Sequence, residues 1–190
     1  MELVEVKFKT LISKYLVTNR EYEEFDPSHC EKRDRYSDQN DQPVVNVSWS
    51  DAMKYCKWLS EKTGKNYRLP YSLEWEMVAS GGGKRIFPWG NGKPTKNHAN
   101  FNNNVGHTTI IGSYPEGATP EGLFDMAGNV WEWCNEYKTN HMLCGALRGG
   151  LRGGSWLNDF EYLRCSARGN HQPDGRSSNV GFRVVRALSH

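Results

Sequence analysis

A chain of 190 residues can bury one good core and leaves little room for a second domain, so a single domain over 1–190 is expected. Its 24 Lys and Arg against 22 Asp and Glu leave a formal net charge of +2, too balanced to mark a nucleic-acid or anionic-membrane partner. A hydrophobic content of 37% with 19 Gly and 7 Trp excludes disorder and predicts a turn-rich fold held by a few large aromatic anchors.

Val4, Val6 and Phe8 alternate with Glu5, Lys7 and Lys9, the period of a strand with one buried face. Between Ser48 and Thr63, the residues Ala52, Tyr55, Cys56 and Leu59 follow helical spacing. Ser48 and Asp51 there make a capping box with Asp in place of Glu. A second helix is predicted over Ser72 to Ala79, with Pro70 ahead of it, Trp75 and Val78 or Ala79 inward, and Gly81-Gly82-Gly83 ending it. From Gly81 to Gly122 the pattern dissolves into Gly, Asn, Pro and Thr, a loop long enough to need bound metal or aromatics such as Phe87 and Trp89 to hold it. Phe182 and Val184 alternate with Arg183 and Val185 in a last strand that could pair with the first.

No apolar run approaches the ~20 residues that span a bilayer, and Met1-Glu2-Leu3-Val4-Glu5 lacks a basic region followed by an apolar one. The expectation is no export signal and a cytoplasmic or phage-particle location. Cys30, Cys56, Cys134, Cys144 and Cys165 show no Cys-x-x-Cys metal spacing and read as thiols in a reducing compartment. A bridge between Cys134 and Cys144 is the alternative, for which sequence gives no geometry. The tandem Leu147-Arg148-Gly149-Gly150 and Leu151-Arg152-Gly153-Gly154 reads as a local duplication.

In order, the chain carries Val17-Thr18-Asn19, Pro43-Val44-Val45-Asn46-Val47-Ser48-Trp49, Tyr67-Arg68-Leu69-Pro70, Glu74-Trp75-Glu76 and Phe87-Pro88-Trp89-Gly90. Gly122 to Trp133, Leu151-Arg152-Gly153-Gly154-Ser155-Trp156 and Gly181-Phe182-Arg183 follow. Together these resemble the formylglycine-generating enzyme, or sulfatase-modifying factor, family over nearly the whole chain. The resemblance implies an α+β, C-type-lectin-like fold with two helices, a small twisted antiparallel sheet joining the termini and a loop-rich functional half. Trp75, Trp89, Trp131, Trp133 and Trp156 read as core in that frame.

The resemblance also implies a structural calcium ion on the side chains of Asp125 and Glu132 with the carbonyls of Gly128 and Val130, oxygen ligands that suit a hard cation. A second family calcium site would fall near Asn100, Phe101, Asn103 and Val105, where Asn stands in for the expected acid. In the family's oxidases two cysteine thiolates capture copper(I) inside the bracket between Gly-Gly-Ser-Trp and Gly-Phe-Arg. Here those places hold Asn158 and Leu163, Cys165 reads as buried packing, and no copper is expected. The six histidines show no helical His-x-x-x-His spacing, and no Gly-x-Ser-x-Gly elbow or phosphate loop is present.

A second branch of the fold comprises the variable proteins of diversity-generating retroelements, in which adenines near the 3′ end of a gene are rewritten. Their layout, Gly-Gly-Ser-Trp, changeable positions, then Gly-Phe-Arg, resembles residues 151–183. Rewriting an AAY codon yields Asn, Asp, Ser, Gly, His, Tyr, Phe, Leu or Val but never Lys, Glu, Gln, Met or Trp. Leu157, Asn158, Asp159, Phe160, Tyr162, Ser166, Gly169, Asn170, His171, Asp174, Gly175, Ser177, Ser178, Asn179 and Val180 fall within that set and Glu161 and Gln172 outside it. Loops are rich in such residues in any case.

These residues are therefore expected to form a diversified binding face on a non-enzymatic protein whose partner is a protein or other macromolecular ligand. The oligomeric state is left open, with a monomer admissible. A copper-dependent oxidase relative and an invariant scaffold or regulatory domain of the family are the competing classes.

Overall fold

The computed structural model describes residues 1–6, 10–139 and 147–188. Phe8 and Cys144, and with Cys144 the alternative bridge, lie outside the described residues. No helix among the described residues is long and apolar enough to cross a membrane.

The chain opens with β1 (Leu3–Val6), antiparallel to β2 (Thr10–Ser13). Thr18 then accepts from the Glu21 amide while the Glu21 carboxylate accepts from the Thr18 amide, a capping box that starts α1 (Asn19–Glu23). This short helix was not expected from periodicity, yet Thr18-x-x-Glu21 was its sequence signal. The helix predicted between Ser48 and Thr63 is α2 (Trp49–Thr63), with the Ser48–Asp51 box formed and Gly64 ending it in the left-handed region at φ 66°. Its Tyr55 stacks on Tyr22 and packs edge-on against Phe182, so the apolar face of α2 meets α1 and the C-terminal segment.

After β3 (Asn66–Arg68) comes the second predicted helix, α3 (Ser72–Ala79), with Trp75, Val78 and Ala79 buried. The long stretch that follows is held by aromatics, as one of the two expectations had it. Phe87 stacks on Trp89 at 5.2 Å and Trp89 on His98 at 4.7 Å, while Arg85 clamps Glu121 through Nη1 and Nη2.

The protein is α+β, and its described residues form two four-stranded sheets. The first runs β1-β2-β8-β3, with β8 at Val185–Ala187. The expected pairing of the last strand with the first is therefore corrected: β8 lies between β2 and β3, and β1 is an edge. Residues 182–184 precede that ladder because Phe182 is buried in the aromatic cluster and Arg183 is drawn into the core. The second sheet runs β6-β5-β4-β7, from β4 (Trp131–Thr139), β5 (Leu147–Arg152), β6 (Gly169–His171) and β7 (Val180–Gly181). The β4 and β7 strands are parallel, so this sheet is mixed.

The two sheets and α3 meet at a buried charge cluster. Arg183 grips Glu132 with Nε at 2.7 Å and Nη2 at 2.9 Å, and Trp75 Nε1 donates to the same carboxylate at 2.8 Å. The remaining guanidinium protons reach the carbonyls of Ser13 at 3.1 Å and Phe124 at 2.9 Å. Both charged side chains are 0% exposed, so removing either leaves an unpaired charge in the core. Replacing Arg183 by Leu is expected to cost about 3–5 kcal/mol in a urea unfolding experiment. A loss below about 1 kcal/mol would show that the pair contributes little to the fold.

Candidate functional site: the face between Trp156 and Val180

The segment from Leu157 to Val180 is fastened mainly through its backbone. Asn158 and Trp156 carbonyls accept from the amides of Asn102 and Asn103, each at 2.7 Å, and the Cys165 amide donates to Ile86 O at 2.8 Å. Pro173 O accepts from Trp49 N, Ser177 O from Asn46 N, and Asn179 O from Trp131 N, at 2.9–3.0 Å. Arg152, fully buried, donates to the carbonyls of Cys165 and Ala167 and also holds Ser72 and Glu76 on α3. Arg176 reaches back to Asp51 at 2.6 Å. Because carbonyl and amide partners do not depend on side-chain identity, this backbone can keep its path while many of its side chains change.

The sequence-selected positions separate into outward and structural ones. Leu157, Phe160 and Tyr162 are exposed at 50%, 47% and 44%, large apolar groups in solvent on one short segment. Asp159, Ser166, Asn170 and Asp174 are also exposed. Asp159 caps the 3₁₀ turn over Phe160–Leu163 by accepting from Glu161 N. Tyr162 leans edge-on against Trp131 at 5.9 Å.

Other positions serve the frame. Asn158 Oδ1 accepts from both the amide and the hydroxyl of Ser155, and Asn179 Nδ2 donates to that hydroxyl at 3.1 Å. Ser177 Oγ in turn donates to Asn179 Oδ1 at 2.5 Å. Ser178 is half-buried, and its carbonyl lies 3.5 Å from Trp156 Nε1. Val180 is 2% exposed in the main core cluster. A Cβ at Gly169 would press on Leu151 and the Trp131 ring at 3.2 Å, and one at Gly175 would strike the His171 ring at 2.1 Å. His171 is half-buried and edge-on to Trp133 at 6.0 Å. Polar composition alone does not distinguish these positions from the outward ones.

The residues assigned to calcium do not fit the ion as arranged. Three of the roughly four lone-pair positions of Glu132 are used by Arg183 and Trp75, and a divalent cation there would sit against a buried guanidinium. Asp125, at φ 55°, accepts from the Gly112 amide at 2.8 Å. Burial pushes its carboxyl up to about 6. Gly128 donates its amide to Gly153 O, and Val130 packs with Leu16 and Val45. At the second location Asn100 is buried with Oδ1 lacking a hydrogen-bond partner among the described residues, whereas Asn103 and Val105 face solvent.

At the positions where the resemblance places thiolates, Leu163 is 0% exposed among Phe87, Ala99 and Ala127, and Asn158 is tied to Ser155. Cys165 is buried, which pushes its thiol up to about 12, well away from a reactive thiolate at neutral pH.

Residues 4–188 match the sulfatase-modifying factor enzyme 1-like domain. The chain belongs to that family. It is 37% identical over 168 residues to the formylglycine-generating enzyme of Mus musculus, covering 75% of this chain and 44% of that protein. It is 35% identical over 160 residues to the inactive C-alpha-formylglycine-generating enzyme 2 of Bos taurus, covering 75% of this chain and 50% of that one. The chain thus spans half or less of the length of these relatives. Treponema denticola variable protein 1 shares the fold with a TM-score of 0.74 at 22% identity, over 99% of this chain and 92% of that one. The C-type-lectin-like architecture of the family is therefore the fold of this chain.

Asn158→Ala is expected to lower unfolding free energy by about 1–2 kcal/mol, since it strips two bonds from buried Ser155. Phe160→Ala should stay within about 0.5 kcal/mol of the parent. Chemical denaturation of both variants checks the division, and equal losses would refute it.

Proposed function

We propose that this protein is a non-enzymatic ligand binder, the variable protein of a diversity-generating retroelement, whose binding face is the outward part of residues 157–180. The observation that carries the reading is the separation just described: main-chain bonds and buried Arg152 fix the segment, while Leu157, Asp159, Phe160, Tyr162, Ser166, Asn170 and Asp174 stand in solvent. Exposed aromatics beside small polar groups are the mixture that paratopes use, large rigid contact area with adaptable hydrogen bonding. The fold shared with Treponema denticola variable protein 1 supports the reading, as does the relative named as inactive.

The identity to the mouse formylglycine-generating enzyme favours a second reading, a copper-dependent oxidase. That chemistry calls for a pair of accessible thiolates, and the segment offers one buried cysteine, Cys165, with Asn158 and Leu163 at the matching places.

Deep sequencing of the 3′ end of the gene in its source population tests the proposal. The expected result is substitutions confined to the codons of 157–180, concentrated at adenines of a nearby near-identical repeat and at the outward positions. A uniform segment without such a repeat would overturn it and leave an invariant member of the family.

A further inference from the structure

Beside the start of the segment lies a shallow depression of about 500 Å³ lined by Arg35, Tyr36, Asn103, His107, Trp156 and Leu157, with Gly106. Only Leu157 belongs to the changeable stretch. The rest come from the frame, and Trp156 and Tyr36 are held firmly. Trp156 is 3% exposed, its amide bonded to Asn129 O at 3.0 Å and its carbonyl to Asn103 N at 2.7 Å. Tyr36 stacks on it with ring centroids 5.3 Å apart, and the Tyr36 carbonyl accepts from both the amide and the hydroxyl of Thr108.

Arg35 lies over the Tyr36 ring, with Cζ 4.8 Å from the centroid and Nη2 donating to the phenol oxygen at 2.7 Å. Tyr36 thus contacts both Trp156 and Arg35, and its ring and phenol oxygen reduce the freedom of a guanidinium that is otherwise exposed. Among the described residues Arg35 has no carboxylate ion-pair partner. Its neighbour Asp34 spends its oxygens on the Tyr36 amide and on Asn46 Nδ2, each at 2.8 Å. Among the described residues no acidic one lines the depression. His107 Nδ1 lies 2.6 Å from Thr108 O, which places the ring proton on Nδ1 and leaves Nε2 without a partner among the described residues.

We propose that this depression is a fixed subsite for a carboxylate of the ligand, an aspartate or glutamate side chain on a protein surface, with Arg35 as its donor. The proposal rests on the reading of 157–180 as a binding face and adds to it a contact that does not change. A binder whose outward residues are rewritten together loses its old contacts together. An invariant guanidinium at the edge of the face retains a modest charge-assisted bond for each new set of side chains.

The test is an NMR titration of ¹⁵N-labelled protein with N-acetyl-aspartate N-methylamide and, separately, its asparagine counterpart. The expected outcome is a saturable shift of the Trp156 indole N–H and the Gly106 amide with the aspartate compound, in the millimolar range, about three- to tenfold weaker with asparagine. Arg35→Gln should abolish that difference while leaving Tm unchanged. Equal shifts with both compounds, an aspartate preference that survives in Arg35→Gln, or no saturable shift at these two groups would each overturn the subsite. A failed titration leaves diversification of the segment standing, and a uniform gene sequence leaves a positive titration standing, so the two proposals fail separately.

Discussion

The structure depends on one buried ion pair. Glu132 sits on β4 and Arg183 on the strand-free stretch just before β8, 51 residues apart and both without solvent contact. Neither charge could be left in that core alone. The guanidinium is satisfied by two carboxylate oxygens and by carbonyls of the β2 end and of the segment at Phe124, and the carboxylate also receives the Trp75 indole. Both sheets, α3 and the long middle loop are thereby tied to one point. The arrangement rewards a single placement of residues 182–184, because a shift of one residue would take Arg183 from Glu132 and set Phe182 or Val184 against an unpaired buried carboxylate.

A second buried arginine does related work nearer the proposed binding face. Arg152 links Ser72 and Glu76 on α3 to the carbonyls of Cys165 and Ala167, so the start of the helix and the middle of the 157–180 segment share an anchor. The outcome is a loop region whose path is set by partners outside it. Such a region costs little stability when its solvent-facing side chains are exchanged, which is the physical requirement for a surface whose specificity can be altered without refolding the domain. The aromatic stack at Tyr36 and Trp156 extends the rigid frame to the margin of that surface.

The helices α2 and α3 were legible because α2 carried a capping box, an apolar stripe and a glycine stop, and α3 a proline ahead of it, inward Trp75 and a glycine run after it. The α1 helix carried a capping box but only five residues, too few for a stripe to show. The second sheet was not legible. In β4 the alternation of Trp131, Glu132 and Trp133 reads as one buried and one wet face, whereas both faces are buried and Glu132 is neutralised by a residue far along the chain. The calcium role of Glu132 came from the family resemblance, which carries no information on the Arg183 partner. At the candidate site, the bracket from Trp156 to Gly181 was visible as motif, but Asn158, Asn179 and Val180 resembled their solvent-facing neighbours in type. What separates them is whether the side chain bonds to Ser155, fills the core or meets water, and that is decided by the fold.

The most direct measurement of this account is a display library in which Leu157, Asp159, Phe160, Tyr162, Ser166 and Asn170 are randomised together and scored for folding by protease resistance. A matched library randomises Ser155, Asn158, Asn179 and Val180. The account predicts that most members of the first library stay resistant and most of the second are cleaved. Equal loss in both would contradict it, because the face would then be part of what holds the protein together.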